Sequence, residues 1–240
     1  MDLDTTETVG EIARRHPAAV AVFEALGIDY CCGGNKSLED ACQKKNVSLN
    51  LVLSDLSSAL VARPTQADGH WMTSPLAELS AHIVTQHHDY AKRELPRLTA
   101  LAAKVQSRHG QAHQELDKIR ELVEAMSSEM MLHMLKEEQV LFPRLKSVEE
   151  SAQAGVAPPP AFFGRLINPI RHMMSDHDDT GELLRSIRAL TNDYKLPEGA
   201  CMSYQALYHG LEALEKDIHL HIHLENNILF PRVLEFEKAR

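Results

Sequence analysis

From residue 76 onward, apolar positions recur in alternating steps of three and four, the spacing that keeps side chains on one face of an α-helix. The first stripe reads Ala77, Ala81, Val84, His88, Ala91, Leu95, Leu98, and the second Leu116, Ile119, Val123, Met126, Met130, His133, Glu137, Val140. The third reads Phe163, Leu166, Ile170, Met173, His177, then Leu184 and Ile187 after a small-residue step at Thr180-Gly181; the fourth reads Leu207, Leu211, Leu214, Ile218, His221, Glu225, Ile228. Breaks fall near Ser107 to Gly110, at Ser151 to Ala161, and near Asn192 to Gly199, where glycine, proline and small polar residues collect. Four long amphipathic helices predict an up-down four-helix bundle over residues 74–240, opened by Ser74-Pro75.

The first 61 residues carry shorter signals. Thr8 and Glu11 form a capping box, Pro17 opens a second helix that Gly27 closes, and Ser37 and Ser48 cap two more. Between them Asp29-Tyr30-Cys31-Cys32-Gly33-Gly34-Asn35 reads as a turn. A small helical domain over 1–61 and a linker over 62–73 are therefore expected ahead of the bundle.

Composition narrows the class. Apolar residues make up 44% of the 240 but aromatics only 5%, which favours packed helices over sheets. The expected fold class is all-α. A formal charge of −9 argues against nucleic acid or an anionic membrane as partner, since both select basic surfaces. With an acidic N-terminus and no stretch long enough to span a bilayer, the expectation is a cytoplasmic protein. The four cysteines, Cys31, Cys32, Cys42 and Cys201, make no disulfide framework and read as thiols, with Cys42 and Cys201 structural.

The 14 histidines change the picture. Every stripe is interrupted by one. His133-x-x-x-Glu137-x-x-x-Leu-Phe-Pro-Arg on the second helix repeats as His221-x-x-x-Glu225-x-x-x-Leu-Phe-Pro-Arg on the fourth, and His88-Asp89 repeats more weakly as His177-Asp178. Two copies of a helical hairpin, joined through Pro158 to Pro160, thus build the bundle.

Histidine and glutamate four apart share a helix face. Two carboxylates facing each other across a core are costly unless cations lie between them. Glutamates bridging two metals, with neutral imidazoles completing each sphere, satisfy His88, His133, Glu137, His177, His221 and Glu225 at once. A single helical histidine is usually a core or boundary residue; six residues in register on four stripes are not so explained. His87, His172, His219 and His223 fall off the ligand stripes and are expected at the surface or behind the ligands. Imidazole and carboxylate also suit manganese, zinc or copper, but the mixed set without thiolate favours iron, and His-x-x-x-Glu differs from the Glu-x-x-His of ferritin-like bundles. Glu138, Asp89, Asp176 and Asp178 are candidates to orient the imidazoles or to be solvated faces.

These motifs, together with the Asp29-Tyr30-Cys31-Cys32-Gly33-Gly34 signature, resemble the Repair of Iron Centres family over nearly the whole chain. The resemblance implies a hemerythrin-like four-helix bundle with a small N-terminal helical domain, and a non-haem di-iron centre of two iron ions with a bridging oxygen species. In it the four histidines are terminal ligands and Glu137 and Glu225 are bridges. It further implies a cytoplasmic homodimer that repairs iron-sulfur clusters after nitrosative or oxidative stress by donating iron, its partners being proteins with damaged clusters. Two other functions stay open on the sequence: an enzyme that binds and reduces nitric oxide or oxygen, and an oxygen carrier, the latter weakened by four in-register histidines where five are expected. Cys31 and Cys32 are candidates for a thiol role, or are inert sulfurs of a tight turn.

Overall fold

The computed structural model describes residues 4–62, 70–157, 160 and 164–238. Among these the chain is helical, with an isolated bridge between Thr8 and Ser37 and no named strand. It falls into two compact units: the described residues up to Leu79 together with those from His219 onward, and Ser80–Ile218. Most of the expected 62–73 linker and the join at Pro158 and Pro159 lie outside the described residues, as does Phe163.

In the first unit, α1 (Val9–Arg15) is capped by Thr8, whose side chain accepts from the Glu11 amide. The second half of the expected box is not made with Thr8; the Glu11 carboxylate pairs with Arg14 instead. α2 (Ala18–Leu26) begins after Pro17 and ends at Gly27, which takes the left-handed φ of 64°. α3 (Leu38–Lys45) is capped by Ser37 accepting from the Asp40 amide, and α4 spans Leu49–Ala62. Around the Thr8–Ser37 bridge, Val9 N–H donates to Lys36 O and Leu38 N–H to Glu7 O, both at 2.9 Å. Gly10 N–H adds a bond to Gly34 O at 2.9 Å, which ties the start of α1 to the cysteine turn.

Four longer helices follow. α5 comprises Leu76–Ile83, a π turn at Val84–His88, and Asp89–His109. α6 comprises Glu115–Lys136, a π turn at Glu137–Leu141, and Phe142–Gln153. α7 is regular over Ile167–Leu190. α8 runs Met202–His223, then a π turn at Leu224–Leu229 and Phe230–Lys238, so it leaves the second unit at Ile218 and continues unbroken into the first. In the second unit α6 packs against both α5 and α7. The predicted stripes of α6, α7 and α8 are buried as far as their metal-ligand candidates: Leu116, Ile119, Val123, Met126 and Met130; Ile170, Met173, Leu184 and Ile187; Leu207, Leu211, Leu214 and Ile218. Gly210 lets α8 approach α5, because a Cβ there would stand 2.5 Å from Leu98 Cδ2.

The π turns have a readable cause. A π turn pairs an amide with the carbonyl five residues back, as Phe142 N–H does with Glu137 O and Phe230 N–H with Glu225 O. Pro143 and Pro231 follow at once, and a proline has no N–H to hold the tighter α ladder. In α5 the Thr85 hydroxyl donates to Ala81 O at 3.0 Å, serving a carbonyl beside the widened turn. Each π turn inserts a residue, so the buried face shifts by one position across it. That shift corrects part of the sequence reading: before His88 the buried apolar residues of α5 are Leu76, Leu79 and Ile83, not Ala77, Ala81 and Val84, and after Glu137 the core resumes at Leu141 and Phe142 while Val140 is half-buried.

Candidate metal centre

Within the second unit, α5, α6 and α7 bring four of the expected ligands together. His88, His133, Glu137 and His177 are all essentially without solvent contact, Glu137 at 0% exposure. Glu137 Oε2 lies 3.3 Å from both His88 Nε2 and His133 Nε2, and His177 Nε2 lies 3.1 Å from His133 Nε2. The ligand atoms of His133, Glu137 and His177 are all within 4.8 Å of one another. In the first unit, the continuing α8 pairs His221 with Glu225, Nε2 to Oε1 at 3.2 Å, and both are buried.

The far sides of two imidazoles are fixed by acids. His88 Nδ1 is 2.7 Å from Glu138 Oε1, and Lys92 Nζ donates to both Glu138 oxygens at 2.6 and 2.8 Å. His133 Nδ1 is 3.4 Å from Asp176 Oδ2, which also accepts from Lys136 Nζ at 2.9 Å. Burial pushes the Glu138 carboxyl up, but hydrogen bonds from Lys92 and His88 outweigh it and hold the group below its usual range. The His133 hydrogen bond, with help from Lys136 and against burial, holds Asp176 at about 2. Two ionised acceptors therefore keep the proton of each ring on Nδ1 and leave Nε2 as a lone pair. Of the four acids that the sequence leaves undecided, Glu138 on α6 and Asp176 on α7 each meet the imidazole of a ligand candidate, whereas Asp89 on α5 and Asp178 on α7 are exposed.

This donor set fits metal. Lone pairs on His88 and His133 converge on one carboxylate oxygen, and two imidazole Nε2 atoms 3.1 Å apart repel unless a cation or a proton stands between them. Neutral imidazoles oriented by carboxylates, with a buried carboxylate among them, form a coordination shell for a borderline divalent ion such as iron.

Of the histidines expected at the surface or behind the ligands, two are buried. His87 is 8% exposed, with Nδ1 3.0 Å from Asp217 Oδ1; the π turn that ends at His88 turns both neighbours inward. His223 is 5% exposed, its Nδ1 accepting from Asn227 Nδ2 at 2.8 Å, its ring edge-on to Tyr30, and burial pulls its pKa down to about 4. His172 is exposed as expected. His219 is part-exposed and meets Glu24 at 2.8 Å; the same Glu24 oxygen accepts from the Tyr30 hydroxyl at 3.0 Å.

The cysteine turn belongs to the first unit. Cys31 is buried and Cys32 partly exposed, with their sulfurs 3.8 Å apart. Its hydrogen bond with Cys32, together with burial, pushes the Cys31 thiol well above its usual range, the reverse of an activated nucleophile. Asn227 Nδ2 donates to Tyr30 O at 3.0 Å and Asn226 Nδ2 to Cys31 O at 3.5 Å. Cys42 is buried, as predicted, but Cys201 is exposed, with Sγ 3.2 Å from His109 Nε2, so it is not a core thiol.

A helical bundle whose helices each carry an inward histidine, two of them with a glutamate one turn on, defines a hemerythrin-type cation-binding protein. Residues 79–233 match the family described as Hemerythrin HHE cation binding domain, and residues 5–60 match a domain of unknown function, DUF542. The iron-sulfur cluster repair protein YtfE of Citrobacter koseri is 36% identical over 231 residues, which covers 96% of this chain and 98% of that protein. The proteins of the same name from Escherichia coli strain ED1a and from Escherichia fergusonii show the same identity and coverage. The chain belongs to this two-domain hemerythrin family, the one that its sequence motifs resemble.

Proposed function

We propose that this protein holds two iron ions between His88, His133, His177, His221, Glu137 and Glu225 and donates iron to proteins whose iron-sulfur clusters have been damaged. The single observation that carries the reading is the convergence of His88, His133 and His177 with the fully buried Glu137, a shell without thiolate. The His221–Glu225 pair repeats the His133–Glu137 pair in sequence and spacing, and supplies the second carboxylate that two ions require. Oxygen and nitrogen ligands alone hold Fe(II) less firmly than a sulfur cage does, which suits a donor. The name carried by relatives that match nearly the whole chain points to the same recipient class.

The residues of the chain do the rest. Glu138 and Asp176 keep the Nε2 atoms of His88 and His133 aimed inward, and Lys92 and Lys136 keep those acids ionised. Iron bound there supplies an ion that can pass to an acceptor. The remaining expectations belong to the same reading: damaged-cluster proteins as partners, a stress setting, a homodimer and the cytoplasm. No helix among the described residues is long and apolar enough to cross a membrane.

The test is recovery of a nitric-oxide-damaged iron-sulfur dehydratase under anaerobic conditions. It is incubated with the iron-loaded protein, with the metal-free protein, or with an equal amount of free Fe(II). Recovery with the loaded protein beyond that given by free Fe(II), and none with the metal-free form, is expected. No recovery, with the centre still loaded, would overturn donation and move the assignment to an enzyme that reduces nitric oxide or oxygen.

A further inference from the structure

We propose that Asp29, Cys31 and Cys32 form a second metal site, built for one thiophilic divalent ion and separate from the histidine and glutamate ligands. The three residues lie on one turn of the first unit, and their ligand atoms are within 4.8 Å of one another. The spacing is what identifies the site. A tetrahedral ion with metal–sulfur bonds of about 2.3 Å sets two thiolates about 3.8 Å apart, and sets a thiolate and a carboxylate oxygen at about 2.0 Å roughly 3.5 Å apart. Cys31 Sγ stands 3.8 Å from Cys32 Sγ and 3.6 Å from Asp29 Oδ1. A disulfide would need the sulfurs at about 2.05 Å, between neighbours whose ring is strained.

The turn around these atoms is prepared. Asp29 Oδ1 accepts from the Gly33 amide at 2.8 Å, which sets the carboxylate, and a Cβ on Gly33 would come within 3.0 Å of Asp29 Oδ2. A Cβ on Gly34 would meet Tyr30 O at 2.6 Å, so the pair of glycines lets the chain fold over the ligands. Cys31 is buried while Cys32 and Asp29 are partly exposed, so an ion held there is shielded on one side and open on the other, where a fourth ligand from water or an acceptor can enter.

Asn226 and Asn227, which donate to Cys31 O and Tyr30 O, are the two residues directly after Glu225. Two hydrogen bonds thus link the helix that carries Glu225 to the turn. Iron(II) on its way out is the natural occupant, an assignment that rests on the donation reading; the existence of the site does not.

The experiment adds Co(II) anaerobically to the iron-loaded full-length protein and follows sulfur-to-cobalt charge-transfer absorption. Histidine and glutamate ligands cannot give that band. The wild type is expected to reach saturation at one Co(II) per chain, and C42S/C201S to match it. C31S/C32S should show no band, C32S a weakened one, and D29A should need at least tenfold more Co(II). Circular dichroism and retained iron in each variant show that the fold survives. Absence of the band in the wild type, or its persistence in C31S/C32S, would overturn the site. The dehydratase assay reads donation without reference to cobalt, so the two readings fail separately.

Discussion

Asn227 joins the helix that carries Glu225 to the cysteine turn, and replacing it by alanine tests that join. Its side-chain amide donates to Tyr30 O at 3.0 Å and approaches His223 Nδ1 at 2.8 Å. His223 is 5% exposed and Tyr30 1%, so water does not readily take over either acceptor. A buried acceptor left without its donor costs about 1–3 kcal/mol. Two such losses, discounted because Asn227 is itself only half-buried, give Asn227→Ala a cost of about 2–4 kcal/mol. Urea unfolding of the metal-free protein should show a lower midpoint with an unchanged slope, since the native fold is kept. Hydrogen exchange should then quicken at the Val9, Gly10 and Leu38 amides, which close the ring of bonds around the turn. Asn227→Asp, which presents only acceptors when ionised, should be no better than alanine. A stability change under about 0.5 kcal/mol, with exchange at those amides unaltered, would refute the claim that this residue organises the turn.

Further outcomes follow from the same geometry. Asp176→Ala and Glu138→Ala should each weaken iron retention about 10–100-fold in a chelator competition, because each removes the acceptor that orients a ligand imidazole; unchanged retention would make these acids ordinary surface charges. Gly210→Ala should destabilise by roughly 1–2 kcal/mol in thermal or urea melts, the overlap with Leu98 exceeding the gain in helix propensity. A stabilised variant would show that α5 and α8 are less closely packed at that point. Gly34→Ala, whose Cβ meets a backbone carbonyl rather than a movable side chain, should lower stability and abolish the Co(II) charge-transfer band while leaving iron content intact.

Much of this was legible in the sequence because a regular helix repeats its pattern. α7 has no π turn, and its described stripe is buried residue for residue, from Leu166 through His177 to Ile187. Where a π turn intervenes, a pattern extrapolated at 3.6 residues per turn slips by one, which is why Ala77, Ala81 and Val84 were assigned to a face that Leu76, Leu79 and Ile83 occupy. The same extrapolation sets His87 on the face beside the ligand stripe, which leaves its burial undecided. A signal was available in α6 and α8: each His/Glu pair is followed by adjacent apolar residues and then proline, Leu141-Phe142-Pro143 and Leu229-Phe230-Pro231, which a single-faced α-helix does not need. α5 offers no such proline, and only the Thr85 hydroxyl marks its widened turn.

The orienting acids were visible as candidates but not separable, because Asp176 reaches His133 on a different helix and such pairings depend on packing. The burial of His223 and the exposure of Cys201 are likewise tertiary outcomes: the first follows from Tyr30 and Asn227 closing over the ring, the second from a loop position before α8 beside His109.

The central claim is that six side chains hold two irons, and the most direct measurement is iron per chain, by metal analysis and Mössbauer spectroscopy, in the wild type and in Glu225→Leu. The account predicts two irons per wild-type chain in a coupled centre, and one or none in the variant, with the helical circular dichroism of both alike. Two irons retained by Glu225→Leu with an unaltered spectrum would contradict the ligand assignment.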